Sequence, residues 1–322
     1  MDAMKNRYRE QPKSMTAEQR HALAGFWKGS VNWDVSMRDY CTLQAGGSTD
    51  ALVVASTLAE LEKLVRWLQD HEIAWRVIGR GSNILITGKG FHGVLIILGE
   101  EFSSIGCRET AADGKTRVAA GAGCSVSRLV GWCGRHSLSG LEFMSGIPGS
   151  VGGAVYMNAG AWGSEIGEYI AGVSFVDVQG CFHEVPAEEI DFSYRRIQPG
   201  SEQLQHGVIV GAEFLLLPGR QREIFEKCRL YQEQRRKKQP VGMPSAGSFF
   251  KNPEGDSAGR LIEAAGLKGL RRGNAMVSPV HANFIVNTGQ ATADEIIALM
   301  QEVQERVFHA SGILLEPEVQ LL

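Results

Sequence analysis

The stretch GLEFMSGIPGSVGGAVYMNAGAWG, residues 140–163, combines closely spaced glycines with apolar side chains. Phe143, Ile147 and Val155 make it unlike the polar, flexible linkers that glycine often forms. Glycine allows the main chain to adopt positive φ and to approach another group closely. We therefore predict that this stretch is folded backbone shaped for close contact with a neighbouring group.

The centre of this stretch, SGIPGSVGGA, places four glycines around Pro148. Successive main-chain N–H groups in such a loop can converge on an anion such as a pyrophosphate. A tight loop packed in the core without a ligand explains the same spacing, and the spacing alone favours neither alternative. A second polar turn, GRGSN at residues 79–83, follows a predicted strand. Two glycine-rich turns with no helix after them suggest an extended, phosphate-bearing cofactor that lies across main chain.

Composition and charge exclude several classes of partner. The 322 residues are enough for two or three packed units of roughly 100–150 residues each. A formal net charge of −3 gives no reason to expect nucleic acid or an anionic membrane as a partner. The N-terminus lacks a secretory signal, no apolar run approaches the roughly 20 residues of a membrane span, and the six cysteines form no C-x-x-C pair. We therefore expect a cytoplasmic protein with reduced thiols.

Three common kinds of site are excluded by their motifs. The nucleotide P-loop motif G-x-x-x-x-G-K-[ST] does not occur. The turns that start at Gly79 and Gly121 have the first two glycines of a Rossmann fingerprint but lack the third. The eight histidines show no metal-ligand spacing, so we expect no metal. The basic run RRKKQ, residues 235–239, is interpreted as the solvated end of a helix rather than as an anion site.

The apolar periodicity predicts an α+β fold. Residues up to about Asn32 show no strand pattern and are interpreted as a short helical or frayed arm. A buried strand near Ala51 leads into a helix with Thr57 and Glu60 as its capping box, and further short strands follow. Beyond Pro218 long helices dominate. The later predicted elements are helices near 126–136, 223–239, 257–265 and 293–311, the last with Thr292 and Glu295 as capping box and Gly312 as terminator, and a final strand at 313–322.

Five segments in chain order carry a resemblance to a known family: GRGSNILI, the opening stretch, FSYR, AGSFFKNP and LEPEV. They are similar to the signature segments of the UDP-N-acetylenolpyruvoylglucosamine reductase (MurB) family, which belongs to the vanillyl-alcohol-oxidase/PCMH class of flavoproteins. The match runs from about Thr42 to Val319, most of the chain. The loop SGIPGSVGGA indicates mainly the flavin-binding fold, whereas AGSFFKNP together with LEPEV is far more specific.

The resemblance implies an FAD-dependent reductase of peptidoglycan precursor synthesis. NADPH is the implied hydride source, and the implied reaction converts the enolpyruvyl ether of UDP-N-acetylglucosamine to UDP-N-acetylmuramate. The implied fold is a two-subdomain PCMH-type FAD-binding domain at 35–218, after an N-terminal arm at 1–34 and before a C-terminal α+β substrate domain at 219–322. We expect non-covalent FAD, a monomer, and no partner beyond the UDP-sugar enolpyruvate substrate.

By the same resemblance, both glycine-rich turns are expected to bring main-chain N–H groups against the FAD pyrophosphate. The expected cofactor-binding residues are Gly79, Arg80, Gly81, Ser82, Asn83, Gly146, Ile147, Pro148, Gly149, Ser150, Gly152 and Gly153.

Three residues match the family's catalytic positions. Arg195, in FSYRR, can hold the substrate carboxylate bidentately and stabilise the enolate charge that follows hydride addition, although alone it would be interpreted as a surface arginine. Ser248, in AGSFFKNP, matches the proton donor, because a weakly acidic hydroxyl can protonate a strongly basic carbanion; alone it would be a turn serine. Glu318, in LEPEV, is expected to share a proton with the substrate or Arg195 and to have a raised pKa; alone it would be a solvent-facing strand residue.

Four neighbouring residues have less specific signals. Glu316 lies two residues before Glu318 and would occupy the same strand face, so the sequence alone does not separate the two glutamates. Tyr194 is expected to be a wall of the site. Lys251 and Asn252 are expected to contact the substrate or the nicotinamide nucleotide.

The chain departs from the family pattern in two places. Gln320 stands where the family commonly has arginine, which opens one phosphate or carboxylate contact to question. Between Gly211 and Ser248 there is little room for the tyrosine-bearing loop that one class of the family carries, so the chain resembles the loopless class.

Two other functions stay open. One is a different flavin oxidase or dehydrogenase on the same fold, and the other is a non-catalytic flavin- or nucleotide-binding protein. Flavin absorbance and substrate-dependent NADPH oxidation would separate them.

Overall fold

A computed structural model describes residues 13–110, 114–199 and 206–322 of the chain, and its first unit is a four-stranded sheet. The unit contains α1 (Ala17–Phe26), β1 (Val31–Ser36), β2 (Ser48–Ala55), α2 (Leu58–Asp70), β3 (Trp75–Ile78), β4 (Ile84–Leu85) and β5 (Phe91–Leu98). The strand order is β1-β2-β5-β3, in which β5 pairs in parallel with β2 and β3 and β1 is an antiparallel edge. A parallel pair needs a long crossover, and α2 belongs to the connection between β2 and β3.

Helix α2 has the ends and the buried face that the sequence predicts. Thr57 accepts a hydrogen bond from the N–H of Glu60, whose side chain accepts from the N-cap backbone, so the predicted capping box is confirmed. The apolar positions recur at helical spacing and are fully buried, and each contributes roughly 1.5–3 kcal/mol by leaving water. These positions are Leu61, Leu64, Val65 and Leu68.

The N-terminal region contains a short helix, which was one of the two alternatives predicted for the arm. Helix α1 starts at a capping box of Thr16 and Gln19, and Leu23 is buried in the core of the first unit. The prediction of no strand up to Asn32 is wrong, because β1 begins at Val31 and pairs with β2. An edge strand with only partly buried side chains lacks the continuous apolar run that marks β2. The predicted boundary between residues 34 and 35 falls inside β1.

The second unit is an antiparallel sheet with two helices against it. Its elements are β6 (Ile105–Thr110), β7 (Thr116–Gly121), α3 (Val126–Arg135), β8 (Leu138–Ser139), α4 (Val151–Tyr156), β9 (Gly160–Ala161), β10 (Ser164–Glu165), β11 (Ile170–Val176), β12 (Phe182–Pro186), β13 (Ile190–Ser193), β14 (Arg196–Pro199) and β15 (Val208–Pro218). The order is β12-β11-β15-β7-β6, with β8 pairing the end of β15, and β13 and β14 form a separate hairpin. Val176, Val208 and Val210 reach into the core of the first unit, so the two units share an apolar interface.

Helix α5 (Gln221–Lys238) connects the second and third units. It matches the helix predicted at 223–239 to within two residues. The predicted boundary after residue 218 assigns α5 to the C-terminal domain. Its buried residues Ile224 and Cys228 nevertheless pack in the core of the second unit, against which α5 lies.

The third unit is a small α+β layer. It contains α6 (Ala258–Ala264), β16 (Arg271–Arg272), β17 (Ala275–Val277), β18 (Ile285–Asn287), α7 (Ala293–Ser311) and β19 (Gln320–Leu321). Helix α7 begins with the predicted capping box of Thr292 and Glu295 and ends at Gly312, which has φ of +71°, so both predictions are confirmed. Mixed helices and sheets in all three units agree with the predicted α+β fold.

The C-terminal segment returns to the first unit instead of forming one long strand. The prediction of a strand at 313–322 is wrong: only β19 is a strand, paired in parallel with β4, and Pro317 makes a single bridge to Phe250. Proline has no N–H to continue a ladder, so the segment cannot pair along its whole length. No helix among the described residues is both long enough and apolar enough to cross a bilayer.

Candidate active site

One large cleft is lined by residues from all three units and has a volume of ≈ 1680 Å³. Every predicted site residue except Tyr194 lines its wall. The fold therefore brings together segments that are far apart in the sequence, and we take this cleft as the candidate active site.

The turn at residues 79–83 presents main-chain amides to the cleft. Gly81 has φ of +62°, and a Cβ atom there would overlap the carbonyl oxygen of Tyr40. The hydroxyl of Ser82 donates to the carbonyl of Pro148 at 3.0 Å, which joins this turn to the second glycine-rich loop. The N–H groups of residues 80–83 donate to no acceptor within the described residues. Amides without partners beside a cleft suit an anionic ligand.

In the second glycine-rich loop, some main-chain N–H groups are already hydrogen-bonded within the protein. Helix α4 begins at Val151, and its N-cap Ser150 accepts a hydrogen bond from the N–H of Gly153 at 3.3 Å. The N–H of Gly152 donates to the carbonyl of Ala122 at 2.9 Å, and a Cβ atom at Gly152 would lie 2.8 Å from that of Ala122. The prediction that no helix follows this loop is therefore wrong, and Gly152 is needed for close packing.

The two alternatives left open for this loop apply to different parts of it. The N–H groups of Ile147 and of residues 151–153 have internal acceptors. Those of Gly149 and Ser150 have none in the part of the chain that the structure describes. The N–H groups of Gly149, Ser150 and residues 80–83 therefore form one set of main-chain donors, and the hydrogen bond of Ser82 keeps the two loops together. Such a set of donors fits the pyrophosphate of a dinucleotide such as FAD.

Replacing Gly81 with alanine should destabilise the protein and weaken FAD retention. Positive φ costs alanine about 1–2 kcal/mol, and the overlap with Tyr40 should add about 1–3 kcal/mol. Denaturant unfolding and the flavin remaining after gel filtration measure both effects. Gly163→Ala is the control, because Gly163 has φ of +85° and nothing lies within 4 Å of a Cβ atom there. If both variants lose the same stability and the same amount of bound FAD, the close approach of Gly81 to Tyr40 does not explain the effect.

Arg195 lies at the tip of the β13–β14 hairpin, whose two-residue turn is Tyr194 and Arg195. Its Nε donates to Oε1 of Glu318 at 2.9 Å, and a terminal nitrogen donates to the carbonyl of Gly160 at 3.4 Å. The guanidinium carbon lies 4.8 Å from the ring centroid of Tyr194. Arg195 has φ of +55°, an uncommon conformation for a non-glycine residue that often marks functional positions.

The buried side chain of Asn158 anchors this hairpin. Its Nδ2 donates to the carbonyl of Ser193 at 3.1 Å and to the carboxylate of Glu165 at 2.7 Å, and its Oδ1 accepts from the N–H of Gly167 at 3.0 Å. The position of Arg195 therefore depends on contacts between three chain segments.

Ser248 and Glu318 lie on two segments that pair with each other. The N–H of Glu318 donates to the carbonyl of Phe249 at 2.9 Å, and the N–H of Lys251 donates to the carbonyl of Glu316 at 2.8 Å. The Ser248 hydroxyl makes no hydrogen bond to any residue that the structure describes. Its proton is therefore available to a ligand in the cleft.

The structure separates the two C-terminal glutamates. The side chain of Glu318 is 15% exposed, whereas that of Glu316 is 56% exposed and pairs with Lys251 at 2.9 Å. Burial raises the pKa of Glu318, and the positive charges of Arg195 and Lys251 oppose part of that effect. The direction agrees with the hypothesis from the sequence, but burial is its cause here rather than a substrate carboxylate.

Three other predicted residues have protein partners. The hydroxyl of Tyr194 accepts from the N–H of Asn252 at 3.3 Å, and Asn252 Oδ1 accepts from the N–H of Ala258 at 3.0 Å at the start of α6. Asn83 Nδ2 donates to the carbonyl of Glu318 at 3.0 Å. Asn83 thus links the 79–83 turn to the segment that carries Glu318.

Arg235 is a residue of the cleft that the sequence interpretation missed. Its Nε is buried without a hydrogen-bond partner among the described residues, and its Cδ lies 3.0 Å from where a Cβ atom of Gly146 would be. Burial and the charge of Arg195 lower the pKa of Arg235. The solvated-end interpretation is therefore wrong for Arg235. Its helical spacing from the buried residues Ile224 and Cys228 was a usable signal, because it places all three on one face.

Two further residues of the cleft wall are Trp162, which the sequence analysis missed, and Gln320, whose contact it left open. The indole N–H of Trp162 is buried and, within residues 13–110, 114–199 and 206–322, has no acceptor. The ammonium of Lys238 lies 5.5 Å from the Trp162 ring centroid. Gln320, at the position that departs from the family pattern, lines the cleft and donates to the sulfur of Met157 at 3.3 Å.

Comparisons with known proteins give a consistent result. Residues 239–322 match the family described as UDP-N-acetylenolpyruvoylglucosamine reductase, C-terminal domain, and residues 49–185 match the family described as FAD binding domain. The UDP-N-acetylenolpyruvoylglucosamine reductase of Syntrophus aciditrophicus is 40% identical over 91% of this chain and 92% of its own length. That of Halalkalibacterium halodurans is 39% identical over 94% of this chain and 97% of its own. The crystal structure of the UDP-N-acetylenolpyruvylglucosamine reductase (MurB) from Thermus caldophilus superposes with a TM-score of 0.76 at 36% identity, over 91% of this chain and 98% of that one.

Proposed function

Since the chain belongs to the UDP-N-acetylenolpyruvoylglucosamine reductase family, we propose that it reduces the enolpyruvyl ether of UDP-N-acetylglucosamine to UDP-N-acetylmuramate with NADPH. This reaction belongs to peptidoglycan precursor synthesis. The observation that carries the proposal is the Arg195–Glu318 ion pair of 2.9 Å in a cleft whose wall also carries Ser248 and both glycine-rich turns. The Ser248 hydroxyl has no hydrogen-bond partner among the residues that the structure describes.

The glycine-rich turns would hold FAD without a covalent bond. The N–H groups of residues 80–83, Gly149 and Ser150, which have no acceptor in the described part of the chain, would donate to its pyrophosphate. The Ser82–Pro148 hydrogen bond joins the two turns. When bound, FAD supplies hydride transfer from NADPH to C3 of the enolpyruvyl group. Arg235, packed against Gly146, adds a positive charge beside this cofactor site.

Arg195 would bind the carboxylate of the enolpyruvyl group. Addition of hydride at C3 leaves negative charge on C2 and this carboxylate, and a fixed guanidinium stabilises that charge without reorganising. Because the Arg195 side chain is 18% exposed, little water screens the interaction. Arg235 and Lys251 line the same cleft as Arg195 and Glu318, so positive charge exceeds negative charge among these four side chains before the substrate enters.

Ser248 would donate its proton to C2 of the substrate. A hydroxyl is too weak an acid to protonate most groups, but the carbanion that follows hydride addition is strongly basic. Glu318, with its raised pKa, would hold a proton between its carboxyl and the substrate carboxylate or Arg195. Glu318 is the carboxylate of an ion pair with Arg195 before the substrate enters, and a proton taken up with the substrate would avoid repulsion between the two carboxylates.

The remaining expectations from the sequence are part of this proposal. They are an FAD-binding domain of two subdomains followed by a C-terminal substrate domain, contacts of Tyr194, Lys251 and Asn252 with the substrate, a monomer, and a cytoplasmic location.

Rapid mixing of the reduced, FAD-loaded protein with the UDP-enolpyruvyl sugar tests this function. We expect the flavin absorbance to return as the double bond is reduced. UDP-N-acetylglucosamine without the enolpyruvyl group is the matched control and should leave the flavin reduced. Flavin that NADPH reduces but the enolpyruvyl sugar fails to reoxidise would indicate a different flavin oxidoreductase, and protein that binds no flavin would contradict the proposal altogether.

A further inference from the structure

The segment that carries Ser248 is held between the C-terminal segment on one side and a buried asparagine on the other. Phe250 forms an isolated antiparallel bridge with Pro317, and the two hydrogen bonds of this bridge use the flanking residues. Both main-chain polar groups of Phe250 pair instead with the side chain of Asn283. Its Oδ1 accepts from the Phe250 N–H at 2.9 Å, and its Nδ2 donates to the Phe250 carbonyl at 2.8 Å.

A third hydrogen bond extends this contact toward Ser248. The N–H of Phe249 donates to the main-chain carbonyl of Asn283 at 2.7 Å, while the carbonyl of Phe249 accepts from the N–H of Glu318 at 2.9 Å. Phe249 therefore connects Asn283 to Glu318 through the N–H and the carbonyl of a single residue. Ser248 directly precedes Phe249 in the chain, so the hydrogen bonds that hold Phe249 also fix the position of Ser248.

Hydrophobic packing alone would not determine this arrangement. The rings of Phe249 and Phe250 are fully buried and anchor the segment, but apolar contacts have no preferred direction. Hydrogen bonds set the register in which the segment pairs with residues 316–318. Asn283 is 4% exposed and supplies them on the side opposite that pairing.

We propose that Asn283 is the positioning residue for the proton donor. Its side-chain amide fixes the backbone of Phe250, so that the Ser248 hydroxyl and the Glu318 carboxyl meet the substrate together. Without that amide the buried N–H and carbonyl of Phe250 lose their partner, and the segment must shift to satisfy them. This inference rests on the proposed function, because it needs Ser248 as the donor.

Asn283→Leu removes the amide while keeping the same number and branching of side-chain heavy atoms. In the FAD-loaded variant, reduction by NADPH should proceed at the rate of the unmodified protein, while reoxidation by the UDP-enolpyruvyl sugar should slow by about 10²-fold, the effect of a displaced catalytic group. The solvent deuterium isotope effect on reoxidation should increase, because proton donation becomes the slow step. A role in stability alone would change neither the ratio of the two half-reactions nor this isotope effect.

Asn287→Leu is the matched control. Asn287 lies four residues away in the same unit, is 2% exposed, and makes four hydrogen bonds through its side chain, to Leu43, Gln44, Gly289 and Ala291. Its replacement should lower the melting temperature but leave the ratio of the half-reactions unchanged. The same selective loss of reoxidation in Asn287→Leu would overturn the inference.

Asn283→Asp provides a second test of the inference, and this variant is sufficient if Asn283→Leu does not fold. Its carboxylate can accept from the Phe250 N–H but has no proton for the Phe250 carbonyl, whereas the protonated acid can serve both. Reoxidation in this variant should therefore recover, relative to the unmodified protein, as the pH falls. Normal reoxidation at neutral pH, or equal slowing of both half-reactions, would overturn the inference. Failure of the unmodified protein to be reoxidised would instead refute the proposed function.

Discussion

Replacing Ser248 with alanine is expected to leave FAD reduction by NADPH intact and to slow reoxidation by the UDP-enolpyruvyl sugar by about 10²–10⁴-fold, the usual contribution of a general acid. The alanine variant keeps the main-chain hydrogen bonds that hold the 248–251 segment, so Glu318 and Arg195 stay in place. Only the hydroxyl, which has no partner among the described residues, is lost. Stopped-flow absorbance of the flavin measures the two half-reactions separately.

Ser245→Ala is the control for this prediction. Ser245 lies three residues earlier in the same segment, and the hydrogen bond it accepts from Thr42, at 2.7 Å, goes to its main-chain carbonyl. Alanine preserves that bond, so both half-reactions should keep their normal rates. If Ser248→Ala slows the two half-reactions equally, Ser248 is not the proton donor.

Replacing Arg195 with lysine is expected to lower kcat by about 10²–10³-fold, comparable to the loss of one donor that stabilises a developing negative charge. An ammonium keeps the charge opposite Glu318 but cannot also present two parallel N–H groups to a carboxylate. The loss should appear in kcat, because the charge that Arg195 stabilises develops during reduction of the substrate. Steady-state NADPH oxidation against substrate concentration separates kcat from KM.

Arg196→Lys is the neighbouring control, since Arg196 is exposed and lies in the same hairpin. It should retain normal turnover and stability. If Arg195→Lys keeps both kcat and KM near normal, the carboxylate contact is contradicted. A rise in KM with unchanged kcat would show that Arg195 only binds the substrate.

Elements with local start and stop signals could be predicted from the sequence. The capping boxes at Thr57 and Thr292 and the terminator Gly312 act over three or four residues, so the sequence contains everything that determines them. Edge strand β1 and the C-terminal segment were predicted poorly. Pairing with a distant strand and the missing N–H of Pro317 decide those two elements, and neither effect shows in apolar periodicity.

The glycine-rich loops fall between these cases. Their spacing correctly indicated close approach of main chain, as the overlap of a Gly81 side chain with Tyr40 demonstrates. Which main-chain N–H groups of these loops remain without acceptors depends on residues that are distant in the sequence. The N–H of Gly152 donates to Ala122, thirty residues away in the chain, whereas that of Gly149 has no acceptor in the described residues.

Short motifs in the sequence supply the chemical groups of the site, because Arg195, Ser248 and Glu318 each stand in a motif of a few consecutive residues. Which of these groups meet depends on how the whole chain folds. Arg195 and Glu318 are 123 positions apart and pair because the C-terminal segment returns to the first unit. Packing between units likewise decides the exposure of Glu316, the partial burial of Glu318 and the burial of the Arg235 Nε. It also decides the two hydrogen bonds of Asn283 to Phe250. Burial and long-range hydrogen bonds belong to the folded chain as a whole, so no local sequence pattern specifies them.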